Sequence, residues 1–159
     1  MASTFAKQSV STELAHRLLE AGERHATQMG QAFVIAIVDE SGVLKALSRM
    51  DGAPLLSVQV AQDKAYTAAG FGLATDAWHD FIKDDPPLAE GAPTGVDRLV
   101  IFGGGYPLKV GGQLVGGIGV SGGPGNPRAA DWRRLGRTST WVPCGPWCRG
   151  RRRPPAYEG

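Results

Sequence analysis

Cysteine is scarce in this sequence, and long hydrophobic runs are absent. The two cysteines, Cys144 and Cys148, both lie in the last part of the chain, so residues 1–123 cannot form a disulfide and give no sign of an oxidising compartment. No apolar stretch approaches the ~20 residues that cross a membrane, and residues 1–7 lack the apolar core of a secretory signal. We therefore expect a cytoplasmic protein that does not associate with membranes.

The distribution of charge divides the chain into two regions. Residues 1–123 carry nine basic and thirteen acidic side chains, whereas residues 124–159 carry eight arginines and two acidic side chains. An arginine cluster at 149–153 is the kind of feature that contacts nucleic acid, but a solvated tail is the interpretation we favour. The sequence thus predicts a domain over 1–123, a disordered Arg/Pro/Trp-rich tail over 124–159, and no nucleic-acid partner.

Apolar periodicity within residues 1–123 predicts an α+β domain. The pattern indicates a helix from Ser11 to Gln28, a β-hairpin, a helix after Pro54 and a short helix after Thr75. A loop is expected to reach Asp97. The predicted strands number five, and they occupy residues 32–38, 43–50, 98–102, 103–110 and 113–120. Because parallel βαβ units are missing, the sheet is expected to be antiparallel with segregated helices.

Four motifs in a fixed order resemble the GlcG/HbpS family over roughly residues 9–123. They lie at 49–53, 64–69, 104–108 and 115–123. The resemblance implies a profilin-like fold and association into dimers or larger rings. It also implies kinship with glycolate-operon proteins, with haem-binding HbpS and with the C-terminal domain of some corrinoid adenosyltransferases.

The resemblance ends at Gly123. Family members continue from there into an alanine-rich helix that packs on the sheet, whereas this chain continues with Pro124-Gly125-Asn126-Pro127. The following composition resembles a GC-rich coding region read out of frame. A frameshift and a genuine divergent tail both remain open, and in either case we expect the domain to lack the family's last helix.

Three charged side chains are candidate ligand-binding residues. Arg49 and Asp51 end the hairpin, and Lys64 lies on the helix that follows. Together they would suit a small anionic ligand, because Arg binds carboxylates and Lys supplies a point charge. In an enzyme, Lys64 would be the nucleophile or general base, Arg49 the carboxylate anchor and Asp51 the proton shuttle. The alternative is an internal ion pair of Arg49 or Lys64 with Asp51 or Asp39.

Glycine clusters form the second candidate feature. No Gly-Lys-Ser/Thr helix start follows Gly103-Gly104-Gly105, so a phosphate-binding P-loop is excluded. We expect Gly104 and Gly105 to contribute a backbone-lined pocket floor. Gly116, Gly117 and Gly119 lie inside a predicted strand, where they would allow close backbone approach or a bulge.

The first helix carries candidate residues for haem and for iron. His16 and His25 are nine residues apart and so face opposite sides, which excludes a shared metal ion but leaves each able to serve as an axial haem ligand. Glu20 and Glu23 are similar to the short Glu-x-x-Glu iron motif of HbpS.

The function expected from these features is binding of a small ligand, with haem or a corrinoid as the implied ligand and a homo-oligomer as the implied assembly. The alternative is a small enzyme acting on a carboxylate- or carbonyl-bearing catabolite through Lys64, Arg49 and Asp51.

Overall fold

The computed structural model describes residues 3–123, and both the expected disorder of residues 124–159 and the missing last helix lie outside this part of the chain. Within it, helices and strands follow in the order α1 (Thr12–Gln28), β1 (Val34–Asp39), β2 (Leu44–Arg49), α2 (Ser57–Phe71), α3 (Thr75–Ile82), α4 (Pro86–Gly95), β3 (Gly105–Val110) and β4 (Gln113–Ser121). None of the helices in the described range is both long and apolar enough to cross a membrane.

The strands form one antiparallel sheet in the order β2-β1-β4-β3. Strand β1 lies in the interior, where Ile35 pairs with Ser48 of β2 and with Val120 of β4. The predicted hairpin and the α+β class with an antiparallel sheet are confirmed.

The two faces of the sheet are covered by different helices. Alternate residues of β1 point to opposite faces. Phe33, Ile35 and Ile37 enter a core that includes Ala15 and Leu18 of α1. The intervening side chains of β1 join a second core formed with α2, which contains Val34, Ala36, Val38, Ala61, Ala65 and Ala69. Helices α1 and α2 therefore lie on opposite sides of the sheet.

Helix α2 approaches the sheet at the glycines of β4. A Cβ built on Gly119 would collide with the carbonyl oxygen of Ala61, and one built on Gly117 would collide with that of Ala65. The absence of side chains at these two positions of β4 lets the main chain of the helix contact the main chain of the strand, as expected for glycine inside a strand.

The prediction of five strands is wrong, because the sheet has four within residues 3–123. Residues 98–102 form an irregular segment instead of a strand. Arg98 adopts a left-handed φ of 63°, which interrupts the extended conformation. The hydroxyl of Thr67 on α2 donates to the Arg98 carbonyl at 3.1 Å and accepts from the Val100 amide at 3.0 Å. Backbone groups that a neighbouring strand would bind are thus bound by a helix side chain.

Helix α4 occupies a stretch that the sequence analysis predicted as a loop. Pro86 and Pro87 stand in its first turn, where the missing amide hydrogens need no partner. The side chain of Asp85 caps the helix by accepting from the Leu88 amide at 3.2 Å. Proline therefore starts this helix rather than preventing it.

Candidate functional site

Lys64 is buried between α2 and the end of β4. Its side chain is 5% exposed. The Nζ atom donates a hydrogen bond to the Val120 carbonyl oxygen at 3.1 Å and lies 4.8 Å from the centroid of the Phe102 ring. Phe102 itself is 57% exposed, so the ring lies at the surface beside the buried amine.

Burial lowers the pKa of Lys64 from 10.5 to about 8, because the charged form loses its hydration. Both contacts favour the ammonium form, since a carbonyl oxygen accepts a hydrogen bond from its N–H and an aromatic face attracts a cation. Lys64 is therefore a buried amine that is charged near neutral pH.

Gly104 and Gly105 lie against Lys64, so the structure brings together three of the predicted site residues. A Cβ on Gly104 would lie 2.8 Å from the Lys64 Nζ atom and 2.7 Å from the Val120 carbonyl oxygen. A Cβ on Gly105 would lie 2.5 Å from the Lys64 carbonyl oxygen. Gly104 also has a φ of 118°, which side-chain-bearing residues rarely adopt. These two glycines leave the space that the lysine occupies.

Residues 96–104, which we call the α4–β3 loop, are fastened to the same helix. The Arg98 guanidinium pairs with Asp63 at 2.7 Å and lies 4.4 Å from the centroid of the Tyr66 ring. Together with the two hydrogen bonds of Thr67, these contacts position Phe102 over the amine. Thr67, Arg98 and Phe102 were not among the predicted site residues. For Thr67 the sequence held a signal, because it lies three residues after Lys64 and so on the same side of a helix.

Thr75 joins the loop's far end to helix α3. Helix α3 was predicted to begin after Thr75, but Ala74 is its N-terminal cap residue, and the Thr75 hydroxyl accepts from the Gly105 amide at 3.0 Å. Thr75 thereby fixes the start of β3 beside Lys64.

Arg49 and Asp51 are not joined to Lys64 by any hydrogen bond or ion pair recorded within residues 3–123. The Arg49 guanidinium donates to the Ala53 carbonyl oxygen from Nε at 3.1 Å and from Nη2 at 2.9 Å. Asp51 is exposed in the turn that this contact closes. Asp39 accepts from the amides of Ser41 and Val43 at the hairpin turn. The internal ion pairs considered for these side chains are therefore not formed in the described part of the chain.

The candidate residues of α1 lie on the other side of the sheet. His16 is exposed and His25 is half-buried. Glu20 lies 3.9 Å from Arg24, whereas Glu23 accepts a hydrogen bond from the Ser48 hydroxyl on β2. The two carboxylates thus have different partners. No group of three His, Cys, Asp or Glu side chains between residues 3 and 123 is arranged to hold a metal ion.

Known proteins are similar to this chain in sequence and in fold. Residues 10–127 match the family described as "Haem degrading protein HbpS-like". GlcG of Escherichia coli is 33% identical over 115 residues, which cover 72% of this chain and 83% of GlcG. The corrinoid adenosyltransferase PduO of Salmonella typhimurium is 36% identical over 108 residues, covering 68% of this chain but 32% of PduO.

A solved structure of a PduOC–haem complex superposes with a TM-score of 0.71 and 32% identity, covering 80% of this chain and 92% of that one. The four sequence motifs, the match to the family model, the identity to GlcG and the similarity to the PduOC–haem structure all indicate the same family. The chain belongs to the GlcG/HbpS family.

Proposed function

We propose that this protein binds a small organic ligand and that the ligand is haem. The observation that carries the proposal is the similarity to the PduOC–haem complex, which extends over nearly all of that chain. Haem is favoured over a corrinoid because the match to the corrinoid adenosyltransferases covers only about a third of those proteins. We therefore do not propose adenosyltransferase activity for this domain.

His16 is the residue that we propose as the axial ligand. One axial imidazole is enough to hold haem iron. The His16 side chain is exposed on α1 and is accessible to a ligand the size of haem, whereas His25 is half-buried near the end of the same helix. An exposed imidazole fits surface binding, in which part of the porphyrin stays in contact with solvent.

Titration with hemin tests the proposal. We expect a saturable shift of the Soret band in the wild-type protein, and its loss or blue shift in His16→Ala. His25→Ala serves as the matched control, because it removes the other histidine of α1 and should leave the spectrum unchanged. Cob(II)alamin titrated in parallel should bind more weakly than hemin. If neither histidine variant alters the spectrum, the axial assignment is wrong, and if hemin does not bind at all, the haem proposal fails.

A binding role is better supported than the enzymatic alternative. The enzyme hypothesis needed Arg49 and Asp51 next to Lys64, but the guanidinium of Arg49 is engaged with the carbonyl of Ala53. Arg49 therefore supports the turn that precedes α2. Neither Arg49 nor Asp51 forms a hydrogen bond or ion pair with Lys64 within residues 3–123, so no described side chain is bonded to the amine to relay a proton.

Self-association in the cytoplasm completes the proposal. Phe71, Trp78 and Phe81 form a stack with centroid separations of 4.3 and 5.3 Å. Phe81 is 65% exposed and Phe71 is 43% exposed. We call these three residues the aromatic stack. Exposed apolar groups of this kind are typical of contact surfaces. The cytoplasmic location is inferred from the absence of cysteine in residues 1–123.

A further inference from the structure

We propose that Lys64 and Phe102 form a second binding site, which takes a small monocarboxylate. The site is independent of the proposed haem site, because Lys64 lies on the α2 side of the sheet and His16 on the α1 helix of the opposite side. Neither helix contributes a candidate residue to the other's site.

The charge of Lys64 lacks a counter-charge among the described residues. None of the ion pairs recorded within residues 3–123 includes it. The acidic neighbour on its own helix, Asp63, is held by Arg98 at 2.7 Å. Burying a lone cation is costly, and pairing with an anion offsets that cost. A bound carboxylate would therefore gain more here than at an exposed lysine.

Donor capacity remains at the ammonium group. An ammonium has three N–H donors. One is used by the Val120 carbonyl, and the Phe102 ring accepts the cation on one face. A carboxylate oxygen can take a further donor without breaking the contact to Val120.

The surroundings select the class of anion. A phosphate dianion would require several donors and a second positive charge. The nearest candidate for that charge in the loop, Arg98, is already engaged with Asp63 and Tyr66. An aromatic ring beside the single cation instead favours an anion with a short apolar group. Acetate and propionate have this combination of one negative charge and one or two carbon atoms beside it.

Phe102 controls access to the site. Lys64 is 5% exposed, and the exposed ring of Phe102 lies 4.8 Å from its Nζ atom, so displacement of this side chain is the proposed route by which an anion reaches the amine. The backbone on both sides of Phe102 is held, by Thr67 at Val100 and by the Gly104 carbonyl, which accepts from the Val120 amide at 2.8 Å. Rotation of the exposed side chain, with the loop staying in place, is therefore the expected opening motion.

NMR of lysine side chains tests this proposal. Protein labelled with ¹³C-lysine is titrated with pH in chloride, in acetate, in propionate and in phosphate at equal ionic strength, and Lys64→Gln assigns the signal. We expect acetate and propionate to shift the Lys64 Cε signal saturably and to raise the pKa of Lys64, while chloride and phosphate leave it unchanged. Phe102→Ala should weaken acetate binding several-fold. Lys45, which is exposed on β2, is the internal control and should not respond.

Two results would overturn the proposal. One is a Lys64 signal that ignores acetate and propionate, and the other is a signal that responds equally to phosphate or chloride. If Lys64→Gln fails to fold, the wild-type signal is recognised by its low pKa, and the titration remains decisive. Repeating the acetate titration after saturation with hemin should give the same affinity. This comparison tests the carboxylate site separately from the haem proposal, because the acetate titration can be read whether or not hemin binds.

Discussion

Between Gly119 and Ala61 there is no room for a side chain, because a Cβ on residue 119 would overlap the carbonyl oxygen of Ala61 on α2. The obstacle is main chain, which cannot swing away as a flexible side chain does. The same relationship holds between Gly117 and Ala65.

Gly119→Ala is therefore expected to destabilise the domain by about 2–3 kcal/mol, since the helix must move away from the sheet. Gly70→Ala is the matched control. Gly70 lies in α2 with no atom near its missing Cβ, and alanine there should stabilise the helix by up to ~1 kcal/mol. Urea unfolding followed by circular dichroism measures both free energies. Equal effects of the two variants would contradict the close approach.

The Thr67 hydroxyl is expected to stabilise the α4–β3 loop. Thr67→Val keeps the shape of the side chain but leaves the Val100 amide, which is buried, without its recorded acceptor. The expected loss is about 1–3 kcal/mol of unfolding free energy. Thr67→Ser retains the hydroxyl and should lose less than half as much. A serine variant as unstable as the valine variant would show that the methyl group, and not the hydrogen bonds, matters.

Stability is expected to depend on pH through Lys64. The folded-state pKa is about 8 and the ordinary value is 10.5, so between these values the unfolded chain binds more protons and stability rises with pH. Below pH 8 the full cost of burying the charge is present, and above pH 10.5 it is gone. At about 1.4 kcal/mol per pH unit the difference is on the order of 3 kcal/mol.

Comparison with Lys64→Met isolates this contribution. The variant cannot titrate at residue 64, so the wild-type protein should gain stability relative to it from pH 8 to 10.5. Thermal or urea unfolding at several pH values gives the difference. A constant difference across this range would mean that the buried amine carries no such cost.

The aromatic stack is expected to mediate self-association. Phe81→Lys places a charge beside Trp78 and should shift the protein toward smaller species in light scattering at high concentration. Phe5→Lys is the control, because Phe5 is 81% exposed but lies in the N-terminal segment, away from α3. A wild-type protein that is monomeric at every concentration would remove the basis for this prediction.

How far the sequence predicts this fold depends on whether the deciding contacts are local. The hairpin could be predicted because its apolar run and its Asp-Glu-Ser-Gly turn are adjacent in sequence. Residues 98–102 could not be placed, since their composition is that of a strand and only the distant Thr67 shows where their backbone groups bind. Pro86 and Pro87 led to the prediction of a loop where α4 begins. A proline pair can end one helix or begin the next, and the pair alone does not show which.

At the candidate site, too, some residues could be predicted from the sequence and others could not. The motif residues Lys64, Gly104 and Gly105 were predicted, and they lie together. Arg49 and Asp51 were grouped with them because they are charged and precede the same helix. Sequence spacing alone could not show that the Arg49 guanidinium donates its hydrogen bonds to the Ala53 carbonyl, four residues away. Phe102 was read as a strand residue, so its position over the amine had no signal in the sequence.

The contact between α2 and the glycines of β4 also bears on how this domain could be engineered. Because main chain meets main chain at Gly117 and Gly119, the distance between α2 and β4 is fixed at these two positions by backbone contact. Redesign of the apolar residues under α1 should therefore leave the coordinates of Lys64 and Thr67 unchanged. Stability could thus be adjusted through the buried core on one face of the sheet while the other face keeps its geometry.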